Sequence, residues 1–367
     1  MKKTALIFSI IIHVFLQSCI SDNEDPIYVA PVEGAIVEPN VGGPAEPHQV
    51  WIDLSDTDSD GQPLQTVTTR TKWDFGFYCG DQFKVILNNS IMMAAGIIEG
   101  AEDIDAVRNK DVTSLKKKVL VANFDPENVQ YVDNVQGQIT GHTAIAEVSE
   151  KDAANPVYLV NMGYDLYPNP DEIKVGSVAT AGASRGWKKV QVVREGDSYI
   201  IRYANLNDDT HKELKVEKNK SYNFTFISLD TDSVVSIQPE KKKWDLCFTV
   251  FTNEIEGAGT YIYSDFVVNN ILSGAAAYEV QVSSGSALEA YNKFTLQDVD
   301  ESRFMYDDQR AIGSNWRNPV GTNGLELYGD RFYILKDPDG LYFKLKFNRM
   351  TSVSGLRGYP EFEYKPL

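Results

Sequence analysis

Lys72-Trp73-Asp74-Phe75-Gly76-Phe77 returns in the second half of the chain as Lys243-Trp244-Asp245-Leu246-Cys247-Phe248. The likeness extends outward in both directions. Upstream, Asp56-Thr57-Asp58-Ser59 matches Asp230-Thr231-Asp232-Ser233, and each follows an apolar run, 50–54 and 224–229. Downstream, Val85-Ile86-Leu87-Asn88-Asn89 matches Phe266-Val267-Val268-Asn269-Asn270, and Ala94-Ala95 matches Ala275-Ala276. Two apolar runs joined by a turn follow in each half, through Gly196-Asp197 before Tyr199 and through Asp339-Gly340 before Tyr342, which is hairpin chemistry. Aromatic segments, 221–226 and 358–364, close the units. A self-match at this interval means one structural unit used twice.

Within each unit the dominant period is two. Trp73, Phe75, Phe77 and Cys79 fall on one face of an extended chain, as do Trp244, Leu246, Phe248 and Val250, with Asp74 and Asp245 opposite. Phe343, Leu345 and Phe347 alternate with Lys344 and Lys346, a strand with one wet face. The pattern predicts an all-β protein of two tandem, mainly antiparallel β domains, residues 48–225 and 226–367, with a strand near the boundary closing the first and leading into the second. Between its tryptophan and its hairpin tyrosine the first unit is 28 residues longer (73 to 199 against 244 to 342). Insertions of that size belong in loops, where function concentrates.

A length of 367 residues, 43% apolar, suffices for two ordinary cores. The net charge of -17 repels phosphate backbones, so nucleic acid is not an expected partner. With four histidines and three cysteines, and no C-x-x-C, H-E-x-x-H, P-loop or G-x-G-x-x-G, the sequence points to a binder rather than an enzyme. Lys2 and Lys3 precede an apolar run from Ala5 to Leu16 and then Gln17-Ser18-Cys19. This is the layout of a signal peptide, 1–18, and too short to span a bilayer. Cleavage before Cys19 follows a bacterial lipoprotein pattern, so Cys19 is the expected lipid site. Ser21-Asp22-Asn23-Glu24-Asp25 is similar to the acidic export tag of surface lipoproteins of Bacteroidetes-type bacteria, and the Pro- and Gly-rich stretch up to residue 47 reads as a tether. The expected location is the outer membrane, lipid-anchored and facing outward.

The repeated Trp-Asp strand, the Asn-Asn segment, the Gly-turn hairpin and the closing aromatic strand together resemble HmuY-type lipoproteins, twice over and across nearly everything after residue 48. The resemblance implies an all-β fold and a surface role in capturing haem or a related tetrapyrrole and passing it to an outer-membrane receptor. It also implies two axial side-chain ligands to iron, histidines or methionines, between the small-residue segment and the final hairpin. In the first unit that interval holds His142, in Thr140-Gly141-His142-Thr143, and Met162, in Val160-Asn161-Met162-Gly163-Tyr164. They are the expected axial pair, with Tyr164 and Tyr167 as replacements or stacking residues. The second unit offers Met305 and no histidine, which predicts a scaffold or partner surface there.

Blander readings stand beside these. A histidine on a glycine-flanked polar loop is ordinarily a surface residue, and a methionine after an apolar run ordinarily fills a core. Asp56 to Gly61 opens like a calcium loop but has Val67 at its twelfth position, so a solvated turn is the simpler account. Cys79 and Cys247 sit differently relative to the two tryptophans, on opposite strand faces, and read as buried free thiols. The alternative function is a non-haem binder of a glycan, peptide or outer-membrane partner, using aromatic loops such as Tyr164, Tyr167 and Trp187.

Overall fold

The computed structural model describes residues 32–321 and 324–367; Cys19 and the signal lie outside them. In the first half the strands are β1 (Ala35–Val37), β2 (His48–Thr57), β3 (Pro63–Thr69), β4 (Phe75–Tyr78), β5 (Val85–Leu87) and β6 (Ala94–Ile97). After a long segment of 3-10 turns come β7 (Val157–Asn161), β8 (Trp187–Glu195), β9 (Ser198–Asn205) and β10 (Lys212–Val216). The second half opens with β11 (Phe224–Ser228), β12 (Ser233–Val235), β13 (Leu246–Ile255), β14 (Gly259–Asn269) and β15 (Ala276–Gln281). The helix α1 (Ala287–Lys293) follows, then β16 (Arg317–Gly321), β17 (Gly324–Leu327), β18 (Arg331–Lys336), β19 (Tyr342–Thr351) and β20 (Arg357–Pro366).

These strands form an all-β, antiparallel assembly of four main sheets with a small β16-β17 hairpin. The sheet orders are β10-β9-β8-β7-β6, β12-β11-β4-β5, β14-β13-β2-β3 and β1-β20-β19-β18-β15. Two of them cross between the repeats. The leading strand of the first repeat, β2, pairs with β13, the Trp-Asp strand of the second, with Ile52 opposite Leu246. Reciprocally, β11, the leading strand of the second repeat, pairs with β4, with Ile227 opposite Phe75. The repeats therefore exchange their first strands. A division at 225/226 falls within β11, and each repeat's core takes in the leading strand of the other. A leading strand cannot bury its apolar face alone, and either Trp-Asp strand offers an equivalent edge, so the exchange satisfies both ladders.

Each Trp-Asp dipeptide is docked on the other repeat by the same pair of bonds. The Asp74 amide donates to the Ile227 carbonyl at 2.8 Å, and the Leu229 amide donates to Asp74 Oδ2 at 2.7 Å. In the second repeat the Asp245 amide donates to the Ile52 carbonyl and the Leu54 amide to Asp245 Oδ2, both at 2.7 Å. The tryptophans do not share a face with the strand residues that follow. Phe75 and Phe77 pack into the core of the first repeat and Leu246 and Phe248 into that of the second, whereas Trp73 and Trp244 lie in a third apolar cluster between the repeats. The strands begin only at Phe75 and Leu246, and the two residues before them break the alternation. In that third cluster Trp51 meets Trp244 edge-on at 4.8 Å and Trp73 meets Phe226 at 4.7 Å, contacts worth about 0.5–1.5 kcal/mol each beyond area burial.

The Asn-Asn match shifts by one residue. Phe75 lies opposite Leu87, and Leu246 opposite Asn269, so Leu87 and Asn269 are equivalent. Asn88 and Asn270 then play one part: each side-chain amide donates to the carbonyl of its Trp, at 2.8 Å, and to a second carbonyl, of Arg70 or Lys241, at 2.7 Å. Part of the longer interval of the first repeat is also not loop. It supplies β7, which lies between β6 and β8, whereas β15 pairs directly with β18. The stretch expected as a tether is packed over residues 32–47. Val32, Val37 and Val41 join the second core, and β1 pairs with β20.

Candidate functional site

A groove of about 690 Å3 opens on the first repeat, between β6, the turns around Leu115 and Tyr131, and the segment 142–147. Gly96 forms part of its floor. A Cβ there would stand 2.8 Å from Val119 and 3.1 Å from the Tyr131 ring, so only glycine lets that ring lie against the strand. Tyr158 on β7 lines the groove, and its hydroxyl accepts from the Ala146 amide at 2.9 Å. Lys84 and Lys118 are the cations of the wall; Glu147 lies 3.9 Å from Lys84.

His142 stands exposed at the edge of this groove. Its Nε2 lies 3.0 Å from the Gln130 carbonyl oxygen. A carbonyl only accepts, so Nε2 carries the proton and Nδ1 keeps its lone pair for an electrophile. The loop holding the ring is pinned from below by Asp133, whose carboxylate accepts from the Leu87 amide at 2.6 Å and from the Ala144 amide at 2.9 Å. Burial pushes the Asp133 carboxyl up to about 7, against the lowering effect of those two donors. The same loop is tied by the Asn134 amide, which donates to the His142 carbonyl at 3.0 Å.

Met162 is elsewhere. It is 1% exposed in the core of the first repeat, with Tyr158 and Val160 on the same face of the chain. Four residues of strand separate it from Tyr158, about 13 Å at the usual rise, and it lines none of the cavities that His142 lines. The expected pairing of His142 with Met162 is therefore not assembled, because the apolar face of Val157–Asn161 simply continues through Met162 into the core. Tyr164 bridges to Ser184 and its amide donates to the Ile91 carbonyl; it lies half-buried beyond that same end of β7, and neither it nor Tyr167 lines the groove. The residues that sequence reading missed are Lys84, Lys118, Tyr131 and Gln130. Gln130 acts through its backbone and carries no sequence signal at all.

The second repeat differs at each corresponding point. Val85 bridges Ile145 and Val267 bridges Gly313, so the residue three before each bridge partner is His142 in one repeat and Arg310 in the other. Arg310 is held by Asp308 at 2.8 Å and by Asn253 at 2.9 Å, and a guanidinium has no lone pair for a metal. The cavity beside it, shared with Met305, is about 230 Å3.

Other expected or overlooked features resolve locally. Asp58 Oδ1 accepts from the amides of Asp60 and Gln62, making the β2-β3 turn, while Asp56 pairs with Lys243. Cys79 and Cys247 are buried free thiols. Gly182-Ala183-Ser184-Arg185-Gly186 has the spacing of a nucleophile elbow, but strand β8 follows it instead of a helix. Its Arg185 serves structure, binding Asp74 at 2.7 Å and Asp230 at 2.8 Å. Among the described residues no cluster of three or more His, Cys, Asp or Glu side chains could hold a metal ion, and no helix is long and apolar enough to cross a membrane.

Comparison with known proteins gives one family. A family model described as HmuY protein matches residues 45–210 and again 220–364. Similar solved structures include a candidate HmuY-like heme binding protein from Bacteroides vulgatus, 18% identical over 38% of this chain and 83% of that one, with a TM-score of 0.21. Another is a candidate lipoprotein from Bacteroides fragilis, 13% identical over 47% and 94%, also with a TM-score of 0.21. No curated protein matches the chain.

Proposed function

The chain belongs to the HmuY family through both of its halves, and from that membership we infer that it captures haem in the groove beside His142. The observation that carries this reading is an exposed imidazole at the edge of a cavity of about 690 Å3, with Nε2 engaged by the Gln130 carbonyl and Nδ1 the nitrogen left to meet a ligand. That volume is within the range of small-molecule sites, roughly 300–1,000 Å3. His142 supplies one axial nitrogen to the iron, and the hydrogen bond behind it orients the ring. Tyr131 and Tyr158 offer aromatic surface to a flat macrocycle. Lys84 and Lys118 are the lysines that would meet the two carboxylates of such a ligand, in a wall that also carries Glu99 and Glu147. Haem is carried here as cargo, and the chain contributes recognition and orientation, with no catalytic step.

In this reading the lipid on Cys19 anchors the protein at the outer membrane, and haem passes from the open groove to a receptor there. The test is a haemin titration of the mature protein followed in the Soret region. Saturable binding is expected, weakened at least tenfold, or about 1.4 kcal/mol, by His142→Ala. With Met162 in the core the iron has one protein nitrogen and a high-spin ferric spectrum is expected. A His142→Ala protein that binds like the parent contradicts the reading.

A further inference from the structure

The strand exchange builds a second cavity, of about 120 Å3, between the repeats, walled by Trp51, Trp73, Trp244, Phe224, Phe226 and Phe251. Three of its lining side chains carry buried polar atoms with no hydrogen-bond partner among the described residues: Trp244 Nε1 and Gln238 Oε1, each on a residue only 6% exposed, and both amide atoms of Asn269. Native proteins leave few such atoms, and each one asks for a cause. Here the cause is visible by comparing the repeats. Trp73 Nε1 donates to Gln49 Oε1 at 2.8 Å. The pairing of Ile52 with Leu246 and of Ile227 with Phe75 makes Phe224 the equivalent of Gln49, so the acceptor that Trp73 has is replaced by a benzene ring for Trp244.

We propose that this chamber binds a neutral, planar heteroaromatic molecule of one or two rings that carries both a hydrogen-bond acceptor and a donor. The acceptor meets Trp244 Nε1 and the donor meets Gln238 Oε1. At about 10–15 Å3 for each water-sized occupant, the volume holds about ten such positions, which is the size of a one- or two-ring molecule. The ligand is flat because the walls are indole and benzene faces. It is neutral because the one carboxylate in the lining, Asp133, already accepts from two backbone amides, and a buried charge would have no partner. A sugar of similar size brings five hydroxyls and a ring oxygen against four unpaired atoms, and other lining amides are taken: Gln49 by Thr249 and Trp73, Asn223 by Asn270 and Ser273, Gln309 by the Val135 carbonyl. The chamber meets the haem groove only at its rim, around His142 and Thr143. The proposal therefore stands independently of the haem reading.

The experiment is a titration of the haem-free mature protein with 2-quinolinone, followed by tryptophan emission, in the parent and in Phe224→Gln and Gln238→Leu. The parent saturates. Phe224→Gln restores the internal acceptor and weakens binding at least tenfold, and Gln238→Leu removes the other contact and does the same, with far-UV circular dichroism unchanged in both. Failure of the parent to saturate at millimolar concentration, equal binding by the parent and both variants, or preference for methyl glucoside over 2-quinolinone overturns the assignment.

Discussion

The aspartates of the two Trp-Asp strands make the same backbone bonds and live in opposite electrostatic surroundings. Asp74 is buried against Arg185, whose other amine reaches Asp230, so its charge is matched. Burial raises its carboxyl, and Arg185 opposes the rise. Asp245 is 1% exposed with no salt bridge among the described residues, and burial pushes it well above the ordinary range, with Asp53, Asp337 and Asp339 adding to the push. The fold thus needs the acceptor oxygen at this position and not the charge. The same divergence runs through the corresponding loops, where one repeat carries His142 over an open groove and the other an ion-paired Arg310 over a small one. Duplication kept the scaffold bonds and freed the side chains around them.

Breaking the ion pair is the largest test of this contrast. Arg185→Met leaves a carboxylate buried and uncompensated, and is expected to cost about 3–5 kcal/mol in urea unfolding. Met162→Ala, in the first core, is expected to cost about 2–5 kcal/mol while leaving haemin affinity within twofold of the parent. A large loss of haem affinity with full stability would instead return Met162 to the role of ligand.

The pH dependence sharpens the comparison at the loop beneath His142. The folded-state value of Asp133, about 7, lies above an unfolded carboxyl near 3.9. Its contribution to stability is therefore fully present below pH about 4 and is lost as pH rises through 7. Asp133→Asn removes that titration, so the difference in unfolding free energy between parent and variant should shift toward the variant from pH 4 to 7. A constant difference across that window contradicts the account. The smallest effect is expected at Asp245→Asn, which keeps an acceptor for the Leu54 amide; a change below about 1 kcal/mol at pH 7 distinguishes it from its counterpart in the first repeat.

Much of this was legible in the sequence, and the failures have physical causes. The Trp-Asp repeat, the hairpins at Gly196 and Gly340, and the β class follow from period and turn chemistry. The strand exchange does not, because the two leading strands have the same apolar pattern and would read identically whether paired within a repeat or across it. A one-residue slip in the Asn-Asn match hid the equivalence of Leu87 and Asn269, and a slip of one turns a strand over. His142 was visible as a residue type in a permissive loop. Met162 is ambiguous in the sequence, since a methionine after Val157–Asn161 satisfies the period of a core face as well as it satisfies a ligand inventory. The groove itself is made by Gly96, Tyr131 and a backbone carbonyl, and such surfaces leave no motif.

The proposed function requires that haem bind to the first repeat and not to the second. Native mass spectrometry of the mature protein with excess haemin tests it most directly. One haem per chain, lost in His142→Ala and retained in Met305→Ala, is the predicted result. Two haems per chain, or one that survives His142→Ala, would contradict it.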